Sequence, residues 1–303
     1  STDGLNPDPN NSGYPDENNE ALPTPVVLGQ PVLGMSKRVL STTQVDSGVY
    51  DVLYEMRVVN YSQNHAAFDV QATDDLNAAF PAPLTYQVQS IQLASGVLAV
   101  NSSFNGKTNQ NLLTGNRSLG AGDQAVLRFV VRVTANGAKG TFYNRAEVTG
   151  KSSAGSTQAI TSRDHSTNGN TPDINDNGSP SDTGEDKPTP VVIDGPVIGL
   201  AKEALSVTPV VGQANSYDVK YRLHIKNLSA TQTAFNLQMV DDLSVTFPVP
   251  VSSQVTSIAS TTLTVDSAYT GKADHLNLLT GVDRLAANAV ASVDFTVRIA
   301  LNG

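Results

Sequence analysis

The chain has 303 residues, a formal charge of −9, no cysteine and no tryptophan. The lack of cysteine removes disulfide staples, thiolate metal sites and cysteine nucleophiles, and no apolar run approaches the roughly 20 residues that a membrane-spanning helix needs. Residues 1–30 hold five acids and residues 164–186 hold six, with no Lys or Arg in either segment; the rest is near neutral, so the basic footprint of a nucleic-acid binder is missing.

The chain is close to two copies of one sequence. Asp8-Pro-Asn10-Asn-Ser12-Gly13 and the acids after it recur as Asp173-Ile-Asn175-Asp-Asn177-Gly178 at an offset of 165. Thr24-Pro-Val-Val and Pro31-Val-Leu-Gly-Met-Ser-Lys37 recur at that offset, and Asn111-Leu-Leu-Thr-Gly115 returns as Asn277-Leu-Leu-Thr-Gly281 at 166. This divides the chain into an acidic linker at 1–30, a first domain at 31–163, a second acidic linker at 164–194 and a second domain at 195–303. Both ends fall inside a repeat, so the sequence is expected to be a window of a longer tandem array.

In the first linker, oxygen-bearing residues stand at relative positions 1, 3 and 5 (Asp8, Asn10, Ser12), glycine at 6 and acids at 10 and 13 (Glu17, Glu20), with Asp16 alongside. The second linker places Asp173, Asn175, Asn177, Gly178, Asp182 and Glu185 at the same positions, with Asp164 upstream as a further donor. Alternate hard oxygens around a glycine suit Ca²⁺, which takes six to eight oxygen ligands. The closing acid stands one place later than in an EF-hand and no flanking helices are predicted, so this reads as an EF-like calcium loop on another fold. A solvated Asn/Asp-rich spacer is the alternative, but a spacer needs composition and not register.

Between the linkers the pattern is strand after strand. Tyr50–Val59, Ala67–Ala72, Ala125–Val133 and Thr141–Val148 are short, rich in Val, Phe and Tyr, and alternate inside and outside. Asn-Gly pairs and the Leu-Gly-Ala-Gly run at 119–122 separate them. The prediction is all-β: tandem immunoglobulin-like antiparallel β-sandwiches joined by acidic calcium-binding linkers.

Strand alternation puts Leu33, Met35 and Lys37 on one face. Phe68, Val70, Ala72 and Asp74 share another, as do Phe142, Asn144, Ala146 and Val148. A lysine, an aspartate and an asparagine are thus predicted to face one core from a first, a middle and a last strand. These types resemble the intramolecular isopeptide triad of Gram-positive pilin and adhesin domains; the alternative is a buried Lys37–Asp74 ion pair with Asn144 hydrogen-bonded nearby. No histidine is shared between the copies: His65 aligns with Gln232, His224 with Arg57 and His275 with Asn109. A repeat-encoded zinc site or Ser-His-Asp apparatus is therefore not expected.

The order of Tyr50-x-Val-x-Tyr-x-x-x-Val-x-Asn60, Val-x-Ala-x-Asp74-Asp-Leu, Leu119-Gly-Ala-Gly, Phe129-Val-Val-Arg-Val and Asn144-x-Ala-x-Val, followed by Asp164-x-Ser-Thr-Asn-Gly, resembles the bacterial surface-protein repeat called domain of unknown function eleven. The resemblance covers nearly the whole chain. It implies an extracellular, tandemly repeated, immunoglobulin-like domain of a surface fibre or adhesin, with no enzyme activity to carry over. The expected partners are neighbouring repeats or copies of the same protein and a host or surface ligand, with neither nucleic acid nor membrane insertion in this segment. The competing function is a receptor- or glycan-binding module presented by the sandwich loops, such as 101–118 and 266–284.

Overall fold

A computed structural model describes residues 3–14, 23, 24, 29–273 and 275–301. The first domain opens with β1 (Leu33–Asp46), β2 (Val49–Asn60) and β3 (Phe68–Asp74), a single helical turn α1 (Leu76–Ala79), then β4 (Thr85–Ser95) and β5 (Gln124–Thr134). It continues through β6 (Gly140–Asn144), β7 (Ala146–Lys151), β8 (Thr161–His165), β9 (Thr167–Asn168) and β10 (Thr189–Ile193). The second domain carries β11 (Ile198–Pro209), β12 (Ser216–Asn227), α2 (Leu243–Thr246), β13 (Ser252–Ala259) and β14 (Val290–Ala300).

One layer of the first domain is the sheet β4-β5-β2-β1-β9, and the other is β3-β7-β8 with the ribbon β10-β6 beside it. Inward-facing Val52, Tyr54, Met56 and Val58 of β2 alternate with outward-facing residues that are partly open apart from Glu55, which is covered by Arg38 and Arg128, and Leu127, Phe129, Val131 and Val133 of β5 alternate with open residues. This is the period-2 pattern of a half-buried strand. Between the layers Tyr54 stacks on Phe129 and Phe104 meets Phe129 edge-on.

The second domain repeats the larger sheet as β11-β12-β14-β13. One irregularity is copied: β1 slips register between Val39 and Ser41, and β11 between Ala204 and Ser206. Such bulges belong to the design of a strand rather than to noise. Residues 235–241, the counterparts of β3, do not form a strand among the described residues. β3 owes its ladder to β7, whereas the 235–241 segment is tethered near its ends by isolated bridges, Ala234 to Leu285 and Val240 to Asn277.

Two local arrangements differ from the sequence reading. The last strand expected over Thr141–Val148 is two, because the chain changes partners at Arg145: β6 pairs with β10 while β7 pairs with β3 and β8. The segment read as a linker also supplies structure to the first domain. β9 runs parallel to β1, and β10 closes on β6 with Thr189 opposite Asn144. Val191 and Ile193 are buried in the first core, so the segment's apolar alternation is used in place rather than left in solvent.

Candidate functional site

The sequence places an aspartate pair, Asp74-Asp75, at the junction between β3 and α1. Asp75 turns outward and accepts the amides of Asn77 and Ala78, which caps the helical turn. Asp74 turns inward. Its Oδ2 lies 2.5 Å from Lys37 Nζ and accepts Asn144 Nδ2 at 3.3 Å. Lys37, Asp74 and Asn144 are all at most 1 % exposed, so the three residues predicted to face one core meet there.

Each comes from a well-held backbone. Lys37 is opposite Met56 on one side and Asn168 on the other, and its carbonyl accepts Gly169 N and Thr189 Oγ1. Asp74 is opposite Ala146, two residues past Asn144. The lysine ammonium sits 4.7 Å from the Tyr54 ring centre and 5.7 Å from that of Phe129, so aromatic faces replace part of its lost hydration.

Burial is the largest influence on both ionisable groups. It pushes the lysine down from its ordinary range and the carboxyl up, while their mutual attraction and hydrogen bond act the other way. The net direction for each is toward the neutral form, an amine beside a carboxylic acid. Asp74 Oδ1, Asn144 Oδ1 and the Tyr54 hydroxyl, all buried, have no hydrogen-bond partner. An orphan of this kind costs about 1–3 kcal/mol.

The second domain holds the same parts in an open setting. Lys202 Nζ is 2.6 Å from Asp241 Oδ2 and 4.6 Å from the Tyr221 ring centre, yet 29 % of its side chain is exposed. The second partner of Asp241 is the Tyr269 hydroxyl at 3.3 Å rather than an asparagine. Leu200 beside it is exposed, whereas its counterpart Met35 is buried.

The acidic loops fold alike. Asp8 accepts the amides of Ser12 and Gly13, and Asp173 accepts those of Asn177 and Gly178. Asn10 and Asn175 each accept the amide two residues on, and Gly13 and Gly178 both take the left-handed conformation that glycine adopts without strain. The predicted ligands Asp16, Glu17 and Glu20 lie outside the described residues. Ser12 accepts the amide of Tyr14.

In the second loop the predicted ligands Asp164, Asp173 and Glu185 are buried. Asp164 takes the amide of Met35, and Glu185 takes those of Ile174 and Asn175 through one oxygen while the other, Oε2, is buried without a partner. Asp182 is held by Asn177 Nδ2. An open cleft of about 360 Å³ between β8 and this loop is lined by Asp164, Asp182 and Asp186 together with Arg163 and His165. Burial first, then the nearby Glu185 and Asp186 charges, raise Asp164 to about 7. Among the described residues no group of three or more His, Asp or Glu side chains is arranged so as to hold a metal ion; in this arrangement Asp164, Asp173 and Glu185 are closed on backbone amides. The orphaned Glu185 oxygen and the raised Asp164 are the two features that fit a cation.

Two motifs singled out in the sequence prove to be structural. Asn60 and Asn227 are buried, and their side-chain amides bond loop carbonyls, His65, Leu119 and Gly120 in one case and Gln232 and Leu285 in the other. In Asn-Leu-Leu-Thr-Gly, both leucines of each copy are buried in the cores. The aromatic pair around Lys37 was not anticipated; the signal was there, since Tyr54/Tyr221 and Phe129/Phe295 recur in register.

No protein-family profile and no curated protein sequence matches the chain. Among solved structures, it is similar to the C-terminal domain of the antigen I/II polypeptide BspA of Streptococcus agalactiae, at 14 % identity and a TM-score of 0.29 over 88 % of this chain and 91 % of that one. It is also similar to a GH20 β-N-acetylglucosaminidase of Vibrio harveyi, at 13 % identity and a TM-score of 0.24. The match covers 69 % of this chain and 23 % of the glycosidase. The secreted protease VesC of Vibrio cholerae gives 9 % identity and 0.23 over 88 % of this chain and 49 % of VesC. All of these resemblances are weak, and those that span most of both chains are to BspA C-terminal domains.

Proposed function

We propose that this chain is a structural repeat segment of an extracellular bacterial surface fibre or adhesin stalk, not an enzyme, with calcium stiffening the acidic junctions. The observation that carries the reading is the path of residues 164–194. The segment between the two sandwiches is stitched into the first one by β9 and β10, and the Tyr50 hydroxyl donates to the carbonyl of Asp194 where the second repeat begins. A connection secured along its length transmits tension, whereas a free spacer would absorb it.

Calcium would be held by Asp164, Asp173, Asn175, Asn177, Asp182 and Glu185, with Asp8, Asn10, Ser12, Asp16, Glu17 and Glu20 as the matching set in the first loop. Six acids without a Lys or Arg in 164–186 repel one another until a cation offsets their charge. Burial of both Leu-Leu pairs makes the loops that carry them plugs of the core, which supports scaffolding over ligand capture.

Calorimetry on the intact chain is the test. Calcium should bind with heat release or uptake that Asp173→Ala combined with Glu185→Ala abolishes at the second loop, while chelator should speed protease cutting within 164–187 and leave both sandwiches folded. No heat on calcium addition, with cutting indifferent to chelator, would remove calcium from the account.

A further inference from the structure

We propose that Lys37 and Asn144 become joined by an amide bond, formed inside the folded first domain with Asp74 as its catalytic residue. This goes beyond the stalk reading and does not depend on calcium. The geometry is that one carboxylate oxygen holds both reacting groups: Lys37 Nζ at 2.5 Å and the Asn144 carboxamide at 3.3 Å. Two groups fixed on a common anchor in a solvent-free site have already lost the freedom that a bimolecular reaction must lose.

The step balances without any co-reactant. A proton passes from the lysine ammonium to the Asp74 carboxylate, leaving an amine and a carboxylic acid; sealing the site favours this neutral pair over the ionised one. The amine then attacks Cγ of Asn144. A half-turn of the carboxamide exchanges Nδ2 for Oδ1, whose position now carries no hydrogen bond, and lets protonated Asp74 donate to the oxygen on which charge develops. Asp74 passes its proton to the departing nitrogen and takes up, by way of its second oxygen, the extra proton of the attacking nitrogen, so that it ends protonated. Nδ2 leaves as ammonia, a new N–C bond replaces the old one, and nothing is oxidised or reduced.

The product answers two features of the site. It ends the burial of an ammonium, and it ties β1 to β6, which belong to different layers of the sandwich. The second domain supplies an internal control: Lys202 and Asp241 have the same aromatic setting, but the other side-chain partner of Asp241 is Tyr269.

Intact mass of the full chain, followed by tryptic mapping, is the experiment. The expected result is a loss of one ammonia, located in a branched peptide that contains both Lys37 and Asn144, with cleavage blocked after Lys37 and normal after Lys202. Mapping is essential because a succinimide at an Asn-Gly pair, for instance Asn105-Gly106 or Asn177-Gly178, loses the same mass without a branch. Asp74→Asn and Lys37→Arg should retain the ammonia, with circular dichroism reporting that the variants are folded. Wild-type protein without the branched peptide overturns the proposal, whatever the variants do, and so does a branch that persists in Asp74→Asn.

Discussion

Asp74 and Asp75 are adjacent carboxylates with opposite duties: the first is sealed against Lys37, the second accepts two amides at the start of α1. The second domain repeats the division with Asp241 on Lys202 and Asp242 on Ser244 N. Asp75→Ala should therefore cost about 1 kcal/mol, the usual worth of a helix cap. Asp74→Ala should cost about 3–5 kcal/mol by leaving a buried lysine unpaired. Urea unfolding of the two variants checks the ratio; equal costs would mean that Asp74 does not hold the core.

Asn60 is predicted to be structural. Its side-chain amide satisfies three loop carbonyls, so Asn60→Ala should lose about 3 kcal/mol from the first domain, given about 1–3 kcal/mol for each buried group left unpaired. Asn116→Ala, at an exposed loop asparagine, should change the thermal midpoint little.

Asp164 gives the calcium-free protein a pH dependence. Its folded-state value is raised from 3.8 to about 7, so the folded state holds the proton more tightly than the unfolded chain. The stabilisation from this group is complete below about pH 4 and is lost as pH rises through about 7. In chelator, the wild type should grow less stable relative to Asp164→Asn between those limits, and calcium should flatten the difference. An identical pH profile for the two proteins in chelator would contradict the burial of an uncompensated carboxyl there.

Much of this was legible in the residues, for stateable reasons. Period-2 alternation depends on local sequence alone, so the inward facing of Lys37, Asp74 and Asn144 could be read without a partner strand in view. The division of Thr141–Val148 at Arg145 could not, because it depends on β10, about 45 residues onward, taking β6. The stitched path of 164–194 was hidden for the same reason: acidic composition reads as spacer, while the alternation of Thr189, Val191 and Ile193 signals a strand only once a sheet edge is available. The duplicated loop register was visible, but it does not say whether the oxygens face a cation or the loop's own amides. In this structure Asp173 and Glu185 face the amides.

The central claim is that the junction carries load, and single-molecule extension of the intact chain, pulled from its two ends, addresses it most directly. With calcium, no low-force extension from the loop at 169–188 should precede unfolding of a sandwich, and in chelator an early extension no longer than that loop should appear. Traces that are the same with calcium and with chelator, or an early low-force extension in both, would contradict the account of a calcium-stiffened stalk.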